Sequence, residues 1–329
     1  TTYTTLQQVN TLPHDFNSYR LGNSHCRYTL MEIDERIKKC VAFACYKDEL
    51  NDNNEPNRIA GTIFFIAVGL DKLEVTRFYY AVTAKHVVEW IEENCVDDKL
   101  TIRINKKDGG YTYVDTELSD WKFHPCDSSV DVAVLSFGGH GSKYSASKYD
   151  IQYLSTEMII TEEAIRKCGI SEGHDVFLTG LFVNHFGEHR NLPIIRTGNI
   201  SLMPEEPIQD TDYGPMEAYL IEVRSIGGLS GSPVFVYSNM TLCKKDTSLT
   251  VSLGPTFSLL GLVHGHWDLK VSEEDMLLKD ILPEKWINMG LAIVVPATKI
   301  LEVLDQKCFK DIRDVVRRKE LKKRKPVMD

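Results

Sequence analysis

Gly227-Gly-Leu-Ser-Gly-Ser-Pro233 sets a serine among glycines, directly ahead of the strand-like run Pro233-Val-Phe-Val-Tyr237. A plain turn accounts for the glycines and leaves Ser230 unexplained. A serine hydroxyl is a poor nucleophile unless a neighbouring base removes its proton and an acid orients that base. The reading of this stretch therefore depends on a histidine and a carboxylate elsewhere in the chain.

Ten histidines are present, so one alone carries little information. His86 stands out because it ends Tyr80-Ala-Val-Thr-Ala-Lys-His86, where an apolar strand leaves the core, and the run Val87-Val-Glu-Trp-Ile91 then turns helical. Asp131 opens Asp131-Val-Ala-Val-Leu-Ser-Phe137 and places an acid at the mouth of a buried strand. Burying a carboxylate is costly without a partner, and a histidine Nδ1–H supplies one. The order His86, Asp131, Ser230 is that of one triad architecture.

Strand-like runs surround these residues in two series. The first comprises Cys40–Tyr46, Gly61–Ala67, Phe78–Thr83 and Leu100–Ile104, with Asp108-Gly-Gly before Tyr111 reading as a hairpin turn. After a polar linker at about 138–160 come Asp175–Thr179, Pro193–Ile200, Ala218–Val223, Pro233–Tyr237, Ser258–Val263 and Gly290–Val295. Two further helices are expected. One spans Thr161–Cys168, with Gly169 ending it. The other follows Pro296, with Thr298 as its N-cap and Ile300, Leu301, Leu304, Cys308, Ile312 and Val315 at helical spacing. Many short strands closed by one helix predict an all-β chain of two antiparallel barrels. The expected divisions are an N-terminal extension (1–37), a first barrel (38–145), a second barrel (146–296) and a C-terminal helix with a basic tail (297–329).

Val-Thr-Ala-Lys-His (82–86), Asp-Val-Ala-Val-Leu (131–135) and Gly-Leu-Ser-Gly-Ser-Pro (228–233) together resemble the three motif blocks of the trypsin-like, chymotrypsin-fold serine peptidases, most closely their disulfide-free bacterial members. Gly61-Thr-Ile-Phe-Phe-Ile66 and Gly173-His-Asp-Val-Phe-Leu-Thr-Gly180 fit the same pattern, and the resemblance spans roughly residues 38 to 305. It implies two Greek-key barrels and an endopeptidase acting on protein or peptide substrates. Ser230 would be nucleophile, His86 general base and Asp131 its orienting acid. Backbone N–H groups of Gly228 and Ser230 would form the oxyanion hole. It implies a pocket among Arg224, His264, His266 and Gly290, whose cationic and imidazole groups would favour an acidic side chain; the alternative is that Arg224 points to solvent and the histidines pack or orient Asp131. Leu229 stands where many members have an aspartate that pairs with a freed N-terminus, so that activation switch is expected to be absent. Ser232 replaces a glycine common in relatives.

Other features set bounds. His185-Phe-Gly-Glu-His189 matches an inverted zinc-peptidase pattern, but that motif needs a helix, and Gly187 between two strand-like runs predicts a hairpin loop. No metal or cofactor is expected. A non-catalytic or conditionally inactive binding module on the same fold is the competing reading. The net charge of −9 argues against general nucleic-acid binding. Arg317-Arg-Lys-Glu-Leu-Lys-Lys-Arg-Lys325 is the basic exception, a solvated helix end or a docking tail for an acidic partner or nucleic acid. Eight cysteines without a CxxC pair predict reduced thiols and a cytoplasmic setting. No apolar run approaches the roughly 20 residues that span a bilayer, and no secretion leader is visible at the N-terminus.

Overall fold

The computed structural model describes residues 33–49, 55–69, 77–140, 142–210, 214–223, 228–245, 248–270 and 286–324. The first eight strands are β1 (Val41–Tyr46), β2 (Arg58–Gly69), β3 (Arg77–Thr83), β4 (Lys99–Asn105), β5 (Tyr111–Glu117), β6 (Lys122–Phe123), β7 (Ala133–Gly139) and β8 (Leu154–Ser155). They pair in the order β5-β4-β1-β2-β3-β7-β6, with β8 parallel to β2. β4-β1-β2-β3 is a Greek key, three hairpin-linked strands with the fourth returned beside the first. Every residue of β1 is buried, which is why Val41-Ala-Phe-Ala-Cys-Tyr46 reads as a continuous apolar run rather than an alternating one.

The second series is β9 (Asp175–Gly180), β10 (Ile194–Leu202), a ribbon of β11 (Ile208–Asp210) with β12 (Gly214–Met216), then β13 (Tyr219–Glu222), β14 (Pro233–Lys245), β15 (Ser248–Lys270) and β16 (Trp286–Pro296). Six of these close into a barrel, β10-β13-β16-β15-β14-β9. Here β14-β9-β10-β13 repeats the Greek key. Its cyclic order matches the first sheet strand for strand, except that no ladder joins β5 to β7 among the described residues. The chain thus carries one closed barrel and one half-barrel of the same topology. All ten expected strands fall on observed ones. The hairpin at Asp108 forms with Gly109 and Gly110 both at positive φ and the N–H of Lys106 donating to the Gly110 carbonyl.

Helix α1 (Lys85–Asn94) leaves the end of β3, and α2 (Glu162–Cys168) ends at Gly169 as expected, with Thr161 as its cap rather than its first residue. The Thr161 hydroxyl accepts from the N–H of Ala164, and Gly169 takes φ 66°. The C-terminal region differs from expectation. Two helices occupy it, α3 (Thr298–Leu304) and α4 (Lys307–Arg324), and Thr298 is the first helical residue rather than the cap. Ala297 is held in helical conformation by its N–H on the Leu260 carbonyl, so the helix starts one residue early. The break falls where the Gln306 side chain donates to the carbonyls of Val303 and Phe123, tying the chain to the first barrel. Phe309 then packs edge-on against Tyr80, and Arg313 donates to the Tyr80 hydroxyl and the Leu304 carbonyl. The basic run begins within α4, and Lys325 lies outside the described residues.

Among the described residues six cysteines are free thiols, and burial pushes that of Cys45 up to about 12. No helix among them is long and apolar enough to cross a membrane.

Candidate active site

Three elements converge on the site. His86 is the second residue of α1, whose N-cap Ala84 has no side chain with which to cap it. Asp131 takes over that task from a distance. Its Oδ1 accepts the main-chain N–H of His86 at 2.8 Å, and its Oδ2 lies 2.8 Å from His86 Nδ1. One carboxylate therefore satisfies a free helix N–H and fixes the ring that follows from it. Asp131 sits two residues ahead of β7 and is 3% exposed. Burial works to raise its carboxyl. The His86 charge and the hydrogen bonds from His264 and His86 outweigh burial and hold it well below the usual carboxylate range.

Ser230 stands on the turn ahead of β14. Gly228 takes φ 94° and Gly231 φ 83°, conformations that L side chains rarely adopt. Space forbids a side chain as well. A Cβ on Gly228 would fall 2.0 Å from Val183 Cγ2, and one on Gly231 would fall 2.2 Å from the Thr62 carbonyl oxygen. The glycines are there because the turn is left-handed at both points and pressed against its neighbours. Leu229 points into the second barrel's core with Val176, Leu178 and Val234, so an apolar contact occupies the place of an aspartate.

The turn is tied to both barrels. Within the second, the N–H of Gly231 donates to the Val263 carbonyl, and that of Val263 to the Ser232 carbonyl. Across to the first, the N–H of Thr62 donates to the Ser230 carbonyl at 2.8 Å and the Thr62 hydroxyl to the Gly228 carbonyl at 2.8 Å. Thr83 in turn donates its hydroxyl to the Thr62 carbonyl. The sequence reading missed these roles of Thr62 and Thr83. A polar residue inside the apolar run Gly61–Ala67 was the available signal.

His264 lies 6% exposed with Nδ1 2.5 Å from Asp131 Oδ2, the oxygen that also meets His86. The Ser230 hydroxyl donates to the main-chain carbonyl of His264 at 3.1 Å. The structure thus brings together His86, Asp131, Ser230, Gly228 and His264. His266 is exposed on β15 opposite Ala292, and Gly290 takes φ 75° on β16 with its carbonyl accepting from Val223. Arg224 lies outside the described residues.

His86, Asp131 and His264 are also the one group of potential metal-ligating side chains among the described residues, with ligand atoms within 4.8 Å of one another. Two ligands at about 2.0–2.1 Å from a tetrahedral zinc stand farther apart than the 2.5 and 2.8 Å N···O separations found here. Those separations are hydrogen bonds. His185, Glu188 and His189 lie exposed on a 3₁₀ turn and loop, without the helix that zinc ligation by this motif needs.

The strand order and the position of the site between the two barrels settle the architecture. The fold is that of the chymotrypsin-like serine peptidases. No family model and no curated protein matches the chain. Among solved structures it is similar to the MamO protease domain from Magnetospirillum magneticum, at 12% identity over 83% of this chain and 99% of that one, with a TM-score of 0.46. It is also similar to Deg5 (12% identity, 81% and 88% covered, TM-score 0.41) and to the active form of the Rv3671c protease from M. tuberculosis (14%, 82% and 80%, TM-score 0.40).

Proposed function

We propose that the chain is a serine endopeptidase that cleaves protein or peptide substrates through Ser230, His86 and Asp131. The observation that carries this reading is the pair of hydrogen bonds between Asp131 and His86, through both main-chain N–H and ring Nδ1. A carboxylate bonded at Nδ1 fixes the tautomer in which Nε2 is the unprotonated nitrogen that accepts a proton. In acylation Ser230 Oγ bonds to the scissile carbonyl carbon, its proton passes to His86 Nε2, and His86 delivers that proton to the departing amine as the C–N bond breaks. Water then repeats the sequence on the ester and releases the acid. Asp131 stabilises the imidazolium formed in each step. The N–H groups of Gly228 and Ser230 are assigned to the developing oxyanion.

One observation favours a second reading, a conditionally inactive module. The Ser230 hydroxyl donates to the His264 carbonyl, and must turn its proton toward His86 before it can attack. Fluorophosphonate labelling of the full chain separates the two. Labelling of wild type that is lost in Ser230→Ala and His86→Ala is the expected result. A folded wild type that takes no label sinks the peptidase reading in favour of the inactive module.

A further inference from the structure

One buried imidazole has no part in the proposed chemistry. His264 lies where the pairing of β15 with β16 slips, since Val263 faces Val294 and Gly265 already faces Ile293. His264 is thus the extra residue of a β-bulge, a device that re-aims a side chain out of the strand's alternation. It is re-aimed into the site. Its ring meets Asp131 Oδ2 at 2.5 Å, its carbonyl accepts from Ser230 Oγ at 3.1 Å, and its ring stands edge-on to His86 with centroids 5.0 Å apart. One residue touches all three members of the proposed triad.

We propose that His264 is a positioning residue, whose Nδ1–H shares Asp131 Oδ2 with His86 and locks the carboxylate in the orientation that serves the base. The inference rests on the peptidase reading. A carboxylate turns over a broad torsional range about its terminal bond, and both of its other bonds come from a single residue, His86. A third donor from a different strand removes that freedom. The tautomer follows, with Nδ1 of His264 carrying the proton it gives to Asp131.

The test uses the full chain. His264→Leu removes the donor and keeps an apolar filling. His264→Asn keeps an N–H close to the position of Nδ1. The loss of one charge-assisted hydrogen bond predicts a roughly tenfold to hundredfold fall in kcat for His264→Leu, with KM little changed and most of the rate restored in His264→Asn. Equal losses in the two variants would overturn the proposal.

Proton NMR gives a readout independent of turnover. The wild type should show two low-field imidazole N–H signals, one lost in His264→Asn and both lost in Asp131→Asn. A single low-field signal in the wild type overturns the proposal even if His264→Leu fails to fold. Two signals in a wild type that takes no fluorophosphonate uphold the shared carboxylate and refute the peptidase.

Discussion

Asp131 illustrates what a buried acid needs in order to stay charged. Its side chain sees almost no solvent, yet it accepts three hydrogen bonds, two from His86 and one from His264. Its folded-state carboxyl lies below the ordinary value. A carboxylate depressed in this way contributes stability that is fully present above the unfolded value of roughly 3.9 and is lost as pH falls through the lower folded value. Asp131→Asn removes that dependence. At neutral pH the variant is expected to be less stable by about 2–3 kcal/mol, and its urea midpoint should converge on the wild type's as pH drops below about 4. Midpoints that stay equally far apart from pH 7 to pH 3 would show that Asp131 is not held as the charged form.

At the scale of elements, the loop between β9 and β10 replaces the zinc motif with a clasp. Arg103 on β4 is 2% exposed. Its guanidinium donates to Asn191 Oδ1 at 2.5 Å, to the Gly187 carbonyl at 2.7 Å and to the Phe186 carbonyl at 3.4 Å, and lies 3.7 Å from the Tyr111 ring centre. Asn191 answers with its amide on the Arg103 carbonyl and its N–H on Asn105 Oδ1. The same loop carries Val183, the residue packed on Gly228, so its anchorage bears on the turn that carries Ser230. Arg103→Met strands the buried Asn191 Oδ1 and two part-buried carbonyls and is expected to cost about 3 kcal/mol or more in urea unfolding. Arg103→Lys should recover little of this, because a compact ammonium has one nitrogen where the planar guanidinium uses two to reach its separate acceptors and has no flat face for the Tyr111 ring. Full recovery by lysine would show that charge alone, and not the fork, holds the loop.

Across the whole molecule, what the sequence disclosed was local. Strands announced themselves through apolar runs such as Val41–Tyr46. The site was marked by Gly228 and Gly231, whose backbone conformations admit little else. For His264 the sequence offered a pocket role or an orienting role toward Asp131 and could not choose, because a bulge depends on how β15 pairs with β16, and pairing is a property of two strands at once. Thr62 showed only as a polar residue inside an apolar run, and its partners stayed hidden for the same reason. Its hydroxyl donates to Gly228 and accepts from the N–H of Leu181, and its N–H holds the Ser230 carbonyl, joining the first barrel to two segments of the second.

That junction makes a prediction about the molecule as a unit. Thr62→Val keeps the volume and the main-chain bond but leaves the Gly228 carbonyl without its hydroxyl donor, at a cost of about 1–3 kcal/mol. The strain falls on the turn whose N–H groups are assigned to the oxyanion in the proposed mechanism, so fluorophosphonate labelling should slow roughly tenfold or more while the unfolding transition stays single. Thr62→Ser should restore the rate, since it keeps the hydroxyl and loses only a methyl group. Unchanged labelling in Thr62→Val would mean that the second barrel shapes the turn alone. A transition split in two would mean that the threonine holds the barrels together more than it shapes the site.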